Sequence, residues 1–61
     1  MNYEHYVQEI EGIANFLKGT RAQVSESGPA EMKESVIRYA CREGARRLRD
    51  VVENMESKTN G

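Results

Sequence analysis

Segment 37–55 constrains the fold of this chain most strongly, because its apolar residues recur at helical spacing. On one side of the predicted helix lie Ile37, Cys41, Gly44, Leu48, Val51, Val52 and Met55. The opposite side carries four arginines, here called the arginine strip: Arg38, Arg42, Arg46 and Arg49. The pattern therefore predicts one surface that packs against other helices and one basic surface that is free for a different contact.

The first part of the chain predicts a second amphipathic helix, from about residue 3 to about residue 25. Its apolar residues alternate at spacings of three and four: Tyr3, Tyr6, Val7, Ile10, Ile13, Ala14, Leu17 and Val24. Much of this pattern repeats every seven residues, which favours near-parallel, left-handed packing of helices. Asn2 is predicted to cap the first turn, because its side-chain oxygen can accept a free backbone amide.

Gly19 leaves two interpretations of this first helix open. It suits the left-handed residue that ends a helix, with Thr20 and Gln23 as a capping box that starts a new turn. Alternatively it is an interior glycine, which costs about 1 kcal/mol relative to alanine. Val24 keeps the seven-residue phase beyond this point, and the sequence therefore favours a continuous helix.

Residues 25–29, Ser-Glu-Ser-Gly-Pro, predict the connection between the two helices. Gly28 precedes a proline and is disfavoured in a helix, whereas Pro29 suits the first helical position. The second helix is predicted from about residue 29 to about residue 56, with residues 57–61 as a polar, frayed tail. Because the connection is short, we expect two antiparallel neighbours that form an all-α helical hairpin.

Size and composition predict that this hairpin pairs with a second copy. The chain has 61 residues and one cysteine, so it cannot form an internal disulfide, and a domain of this size is marginally stable alone. The apolar arc of the second helix is also wider than one partner helix covers. We therefore expect a homodimeric four-helix bundle. The candidates for its core are Ile10, Ile13, Leu17, Ile37, Cys41, Gly44, Leu48, Val51, Val52 and Met55.

No residue pattern in the chain predicts catalysis, a metal site or a cofactor. His5 and Glu9 have the spacing of two metal ligands on one helical face, but an ordinary surface pair has the same spacing. Cys41 is expected to be a small buried residue, although a neighbouring arginine can favour a reactive thiolate. The ten acidic residues are expected on exposed helix faces, away from any sheltered cleft. The sequence therefore predicts a non-enzyme.

The arginine strip is the strongest candidate for a functional surface. Guanidinium groups at this spacing can follow phosphates or bind the carboxylates of a protein partner. A solvated helix face is the alternative, because four pairs have ion-pair spacing: Glu34–Arg38, Glu43–Arg47, Arg46–Asp50 and Arg49–Glu53. Arg42 has only Arg38 and Arg46 at this spacing, so it is the residue most expected to meet an external anion.

Two aromatic residues extend the candidate contact surface. Phe16 departs from the apolar repeat of the first helix, so it is expected either in a dimer core or in a partner contact. Tyr39 lies beside the arginine strip. The candidates for partner binding are therefore Phe16, Arg38, Tyr39, Arg42, Arg46 and Arg49.

The sequence also limits the classes of function. It has no apolar run long enough to span a membrane and no secretory-signal pattern at its start. One free cysteine suits a reducing compartment, so we expect a cytoplasmic protein that does not bind membranes. A small interaction protein, an adaptor or regulator that binds another protein, is the favoured function. By analogy, the small size and the charged bundle also suit an accessory protein encoded by a phage or plasmid.

A nucleic-acid-binding helical dimer that uses the arginine strip is the alternative function. The formal net charge of −1 gives the whole molecule no attraction to nucleic acid, so any such binding must be local.

Overall fold

The computed structural model describes the backbone of residues 3–60 and the side chains of residues 3–57. Two helices account for nearly all of this chain, α1 (Glu4–Glu26) and α2 (Ala30–Asn60). They pack side by side, and no strand occurs in the described range. The all-α prediction is confirmed for these residues, and the arrangement agrees with the predicted hairpin.

The helix ends differ slightly from the sequence expectation. α1 continues through Gly19 without interruption, and Tyr3 occupies its N-cap position with no side-chain capping bond. The predicted cap, Asn2, lies outside the described residues. α2 begins one residue after Pro29 and continues to Asn60, so it includes most of the segment predicted as a tail. Gly61 also lies outside the described residues.

The connection is closed by backbone hydrogen bonds at the end of α1. The Ser27 amide donates to the carbonyl oxygens of Gln23 and Val24, at 3.0 and 3.2 Å. The Ser27 hydroxyl also donates to the Gln23 carbonyl at 2.8 Å. These bonds satisfy carbonyl groups that have no partner within the helix. The chain then extends at Ser27, which turns it towards α2.

Lys33 joins the two helices across this connection. Its ammonium group donates to the carbonyl oxygens of Val24 and Ser27, at 2.7 and 2.9 Å. The last turn of α1 has no basic residue of its own, so Lys33 supplies the positive charge that a helix C-terminus favours. Sequence analysis missed this contact, because it joins residues whose spacing is not that of a helical pair.

The core between the helices is small. Tyr6, Ile13 and Val51 are buried together, and Met55 packs against them. Nearer the connection, Ala40 and Gly44 of α2 are also buried. No side chain in the described range is less than 2% exposed. The two helices therefore bury one narrow line of residues rather than a full hydrophobic core.

The side of α2 that faces α1 differs from the sequence expectation. The predicted contact side included Ile37, Cys41 and Leu48, but all three are exposed in the hairpin. The buried line instead runs through Ala40, Gly44 and Val51. Small residues let two backbones approach closely, which explains why this line and not its larger neighbours faces α1.

The apolar residues of α1 also fall into a buried group and an exposed group. Tyr6 and Ile13 are buried and Val24 is half-buried, whereas Tyr3, Ile10 and Leu17 are exposed. Both helices thus carry a second apolar line that the hairpin leaves uncovered.

The hairpin is a single flat layer. Its Cα atoms span 48 × 17 × 6 Å and have a radius of gyration of 14.8 Å. A compact domain of this length is expected to have a radius of gyration of about 10.5 Å. In the described range, neither broad side of the two-helix layer is therefore covered by a further helix.

Candidate functional site

One broad side of the hairpin, here called the apolar face, collects the uncovered apolar residues. Its members are Tyr3, Val7, Ile10 and Leu17 from α1 and Ile37, Cys41, Leu48 and Val52 from α2. The seven large side chains among them are between 38% and 68% exposed. Their spacings of three, four and seven residues place each group on one side of its own helix.

Leu17 makes the apolar face continuous across the two helices. Its Cδ2 atom lies 3.0 Å from the position that a Cβ atom on Gly44 would take. Leu17 therefore leans over α2 through the space that the missing side chain leaves. Cys41 and Leu48 lie one turn to either side of Gly44 on the same helix, so the uncovered apolar residues of both helices share this face.

The accessible surface of the hairpin is large for its mass. The chain exposes 4996 Å² at a mass of 6.9 kDa. A compact monomer of this mass is expected to expose about 4000 Å². The difference, about 1000 Å², resembles the roughly 800 Å² that each partner buries in a standard protein interface.

The predicted dimer-core residues separate into two groups. Ile13, Gly44 and Val51 are buried inside the hairpin, and Met55 is partly buried with them. Exposed on the apolar face are Ile10, Leu17, Ile37, Cys41, Leu48 and Val52. Cys41, which was expected to be buried in a dimer core, is exposed in the single hairpin, because the rotation of α2 turns this residue outward. Its burial in a dimer stays a prediction.

The opposite broad side, here called the Phe16 face, is covered by charged side chains. The Arg47 guanidinium carbon lies 4.2 Å from the centroid of the Phe16 ring, a distance at which a cation is attracted to an aromatic face. Phe16 thus has a partner within the hairpin. Sequence analysis missed this pair, because the two residues lie on different helices and no spacing rule connects them.

Glu43 organises the charges next to Arg47. The Arg47 Nε donates to Glu43 Oε1 at 3.3 Å, and Arg46 also donates to this oxygen. The pKa of the Glu43 carboxyl lies below its ordinary value, chiefly because of the hydrogen bond from Arg46. The hydrogen bond from Arg47 and the two positive charges lower this pKa further, and they outweigh the opposite effect of partial desolvation. The same pairing raises the pKa of Arg46.

A shallow groove of about 410 Å³ lies on the Phe16 face. It is lined by Glu9, Gly12, Ile13, Arg47, Asp50, Val51 and Asn54. Gly12 leaves it open, since no atom lies within 4 Å of the position of an added Cβ. The Glu9 Oε2 atom is buried and has no hydrogen-bond partner among the described residues. This groove can accept a hydrogen-bond donor but offers no enclosed reaction site.

The residues with potential chemistry are scattered. His5 Nε2 lies 3.7 Å from Glu9 Oε1 in an exposed pair on α1. Within the described range, no three histidine, cysteine or acidic side chains come together as metal ligands. Cys41 lies on the apolar face, about 20 Å along the hairpin from His5 at 1.5 Å of rise per residue. The histidine and the thiol therefore do not form one site.

The arginine strip lies on the outer edge of α2, away from α1. Arg42, Arg46 and Arg49 line a shallow groove of about 290 Å³ together with Ala45. Arg38 is one turn before Arg42 on the same edge, and Tyr39 is exposed beside it. Five of the six predicted partner-binding residues thus lie together, whereas Phe16 lies on the other helix.

Only two of the four predicted ion pairs along α2 are present. Glu43 pairs with Arg47, and Arg46 pairs with Asp50 at 3.5 Å. Across residues 3–57, Arg38, Arg42 and Arg49 have no acidic group within 4 Å. The expected Glu34–Arg38 and Arg49–Glu53 pairs do not form, because a helical spacing permits an ion pair without fixing the side-chain rotamers.

Comparisons with known proteins give no further guide to this geometry. No protein-family model, curated protein or solved structure matches the chain. In the part of the chain that the structure describes, neither helix has the length and apolar character needed to cross a bilayer.

Proposed function

We propose that this chain is a small, non-enzymatic interaction protein whose apolar face is covered by a second copy. Two hairpins packed face to face form a four-helix bundle, which then binds another protein. The observation that carries the proposal is the continuous apolar face, on which both helices expose large side chains such as Leu17 and Leu48. Contiguous exposed apolar side chains of this kind commonly mark a binding surface.

A second copy suits this face for two reasons. The excess surface of about 1000 Å², summed over the whole hairpin, is comparable with one side of a standard dimer interface. The hairpin is also one layer of two helices, and helical domains are usually built from two packed layers. A second identical layer supplies what the first lacks, with the same residues on both sides of a two-fold interface.

A non-catalytic role is supported by the placement of the reactive side chains. His5 is paired with Glu9 on exposed α1, whereas Cys41, the one thiol of the chain, lies on the apolar face. Nucleophilic catalysis needs the base within hydrogen-bond reach of the nucleophile, and here they lie far apart. The groove on the Phe16 face is open to solvent along its length, so it gives little shelter for general acid–base catalysis.

Sedimentation equilibrium of the wild-type protein and two lysine variants tests the proposal. Leu48→Lys places a charge on the apolar face, where the parent side chain is 42% exposed. Met32→Lys is the matched control, since Met32 is an exposed apolar residue of the same helix outside this face. We expect dimers for the wild type and for Met32→Lys, and a monomer for Leu48→Lys, because an unpaired charge is costly in an apolar interface.

Alkylation of Cys41 gives an independent measurement. Its thiol is exposed in one hairpin but covered in the proposed dimer, so its alkylation rate should fall as protein concentration rises. A wild-type protein that stays monomeric, melts cooperatively and alkylates at a rate independent of concentration contradicts the four-helix bundle. Equal dimerisation of Leu48→Lys and Met32→Lys contradicts the assignment of the interface to this face.

A further inference from the structure

The outer edge of α2 carries positive charge that the hairpin does not neutralise. Arg42 and Arg49 border the groove that Ala45 leaves open, and neither has an acidic partner within 4 Å in the described range. Arg46 lies between them in sequence, and its guanidinium forms ion pairs with Glu43 and Asp50. The groove therefore presents two free guanidinium groups separated by one that is already paired.

We propose that this groove binds carboxylate groups from an acidic segment of another protein. The inference rests on the proposed interaction role, since it names the chemistry of the partner, but it uses a surface distinct from the apolar face. Arg38 extends the site by one turn, and Tyr39, which is 60% exposed, adds an apolar ring beside it.

The geometry of the groove suits carboxylates. Arg42 and Arg49 are seven residues apart on one helix, which places them about 10.5 Å apart along its axis. Acidic residues at the same spacing on a partner helix would meet both arginines at once. Each guanidinium can donate two parallel hydrogen bonds to one carboxylate, which gives geometric specificity as well as attraction. Ala45 between them has only a methyl group, so a partner side chain can approach the helix closely.

Nucleic acid fits the same surface less well. Proteins that bind nucleic acid typically carry a strongly basic surface with an isoelectric point above about 9, whereas this chain has a net charge of −1 and an isoelectric point of about 5.8. Only three arginines of the strip are unpaired.

Fluorescence anisotropy with a labelled poly-L-glutamate peptide tests this inference on the full chain. We expect the wild type to bind the peptide and Arg42→Glu to bind at least about tenfold more weakly, because attraction is replaced by repulsion. Arg42→Lys should lie between them, since it keeps the charge and loses the forked hydrogen bonds. Lys18→Glu is the matched control, because it changes the net charge equally from an exposed position on α1 and should bind as the wild type does.

Thermal melts of the same variants separate binding from folding. Arg42→Glu supplies an acid one turn from Arg38 and Arg46, so its melting temperature should equal or slightly exceed that of the wild type. If this variant unfolds, Arg42 is structural and the inference is wrong. Arg42→Gln, which introduces no new charge, should also weaken peptide binding, and unchanged binding by this variant would overturn the inference independently.

Nucleic-acid probes and the variant Leu48→Lys, which is expected to be monomeric, complete the test. Duplex DNA and single-stranded RNA of the same charge as the peptide should bind more weakly than it does. Tighter nucleic-acid binding that falls steeply with salt would overturn the assignment to an acidic protein. Leu48→Lys should still bind the peptide, because its substitution lies on the apolar face. Failure of self-association and failure of the arginine site are thus distinguishable.

Discussion

The two broad sides of the hairpin differ in how their large side chains are covered, and two adjacent residues illustrate the difference. Phe16 lies under the guanidinium of Arg47, which Glu43 in turn holds. Leu17 reaches over Gly44 but remains 39% exposed, with exposed apolar residues beside it on both helices. The Phe16 face is therefore covered from within one chain, whereas the apolar face is not.

In this hairpin, a long charged side chain covers the aromatic ring of the Phe16 face, whereas the large side chains of the apolar face stay exposed. An arginine stem covers an aromatic ring while its charged end stays in water. The apolar face has no such residue positioned over Leu48 or Val52, both of which stay exposed. A second protein layer is then the simplest way to remove that apolar surface from water.

The largest expected effect comes from comparing two isoleucines of α1. Ile13 is 7% exposed and Ile10 is 47% exposed. Ile13→Ala should lower the free energy of unfolding by about 2–5 kcal/mol, as for other buried aliphatic residues. In dilute protein, Ile10→Ala should lower the free energy of unfolding by about 1 kcal/mol or less. This loss should grow as protein concentration rises, because a second copy then covers the apolar face. Urea unfolding at low and high protein concentration measures both, and equal losses at every concentration would refute the distinction between the two faces.

Substitutions of Gly44 test how Leu17 of the apolar face limits the approach of the two helices. A Cβ atom there would lie 3.0 Å from Leu17 Cδ2, the flexible end of a partly exposed side chain. Gly44→Ala should change stability little, because about 1 kcal/mol of helix propensity offsets the shift of Leu17. Gly44→Leu should destabilise by about 1–3 kcal/mol, since it must displace Leu17 and separate the helices.

Leu17→Ala is the control for the Gly44 series. It removes the atoms that an added Cβ would meet, so Gly44→Ala should become clearly stabilising in that background, as a double-mutant cycle of unfolding free energies would measure. Two Gly44 variants as stable as the parent would show that this position does not limit helix approach.

The smallest expected effect concerns the charges of the Phe16 face. Pairing with Arg46 and Arg47 lowers the pKa of Glu43 in the folded protein below its ordinary value of 4.5. The ionised Glu43 carboxylate therefore stabilises the fold fully at a pH above this ordinary value. The contribution is lost as pH falls through the lowered pKa. The melting temperature of the wild type should therefore fall more on acidification than that of Glu43→Gln. Identical acid profiles would show that the pairing around Glu43 contributes nothing measurable to the fold.

The sequence predicted the helices and the connection well, because these depend on local patterns. The seven-residue repeat predicted that α1 continues through Gly19, and the Ser-Gly-Pro segment predicted the turn before α2. Contacts across the turn were not predictable in this way. Lys33 reaches the Val24 and Ser27 carbonyl oxygens only because the chain reverses there, and nothing in local sequence spacing reports such a reversal.

The candidate surfaces were predicted in part. Their members were largely named, since exposed arginines and apolar residues at helical spacing are visible in the sequence. The sequence placed Ile37, Cys41 and Leu48 in one bundle core with the buried residues of α2, and it did not predict that the hairpin alone leaves these three exposed. The arginine strip was expected to be mostly paired, but Arg38 and Arg49 have no acidic partner in the described range, because side-chain rotamers decide between permitted pairs.

The sequence by itself determined that this chain forms two amphipathic helices, because periodicity, helix propensity and turn residues act over a few neighbouring positions. Only the tertiary structure decided how each helix is rotated about its own axis. Both helices carry two adjacent apolar lines, and either line satisfies the same periodicity. The line with Ala40 and Gly44 faces α1 because small residues permit close approach of the backbones. The larger Ile37, Leu48 and Val52 are left outside, where a further layer can cover them.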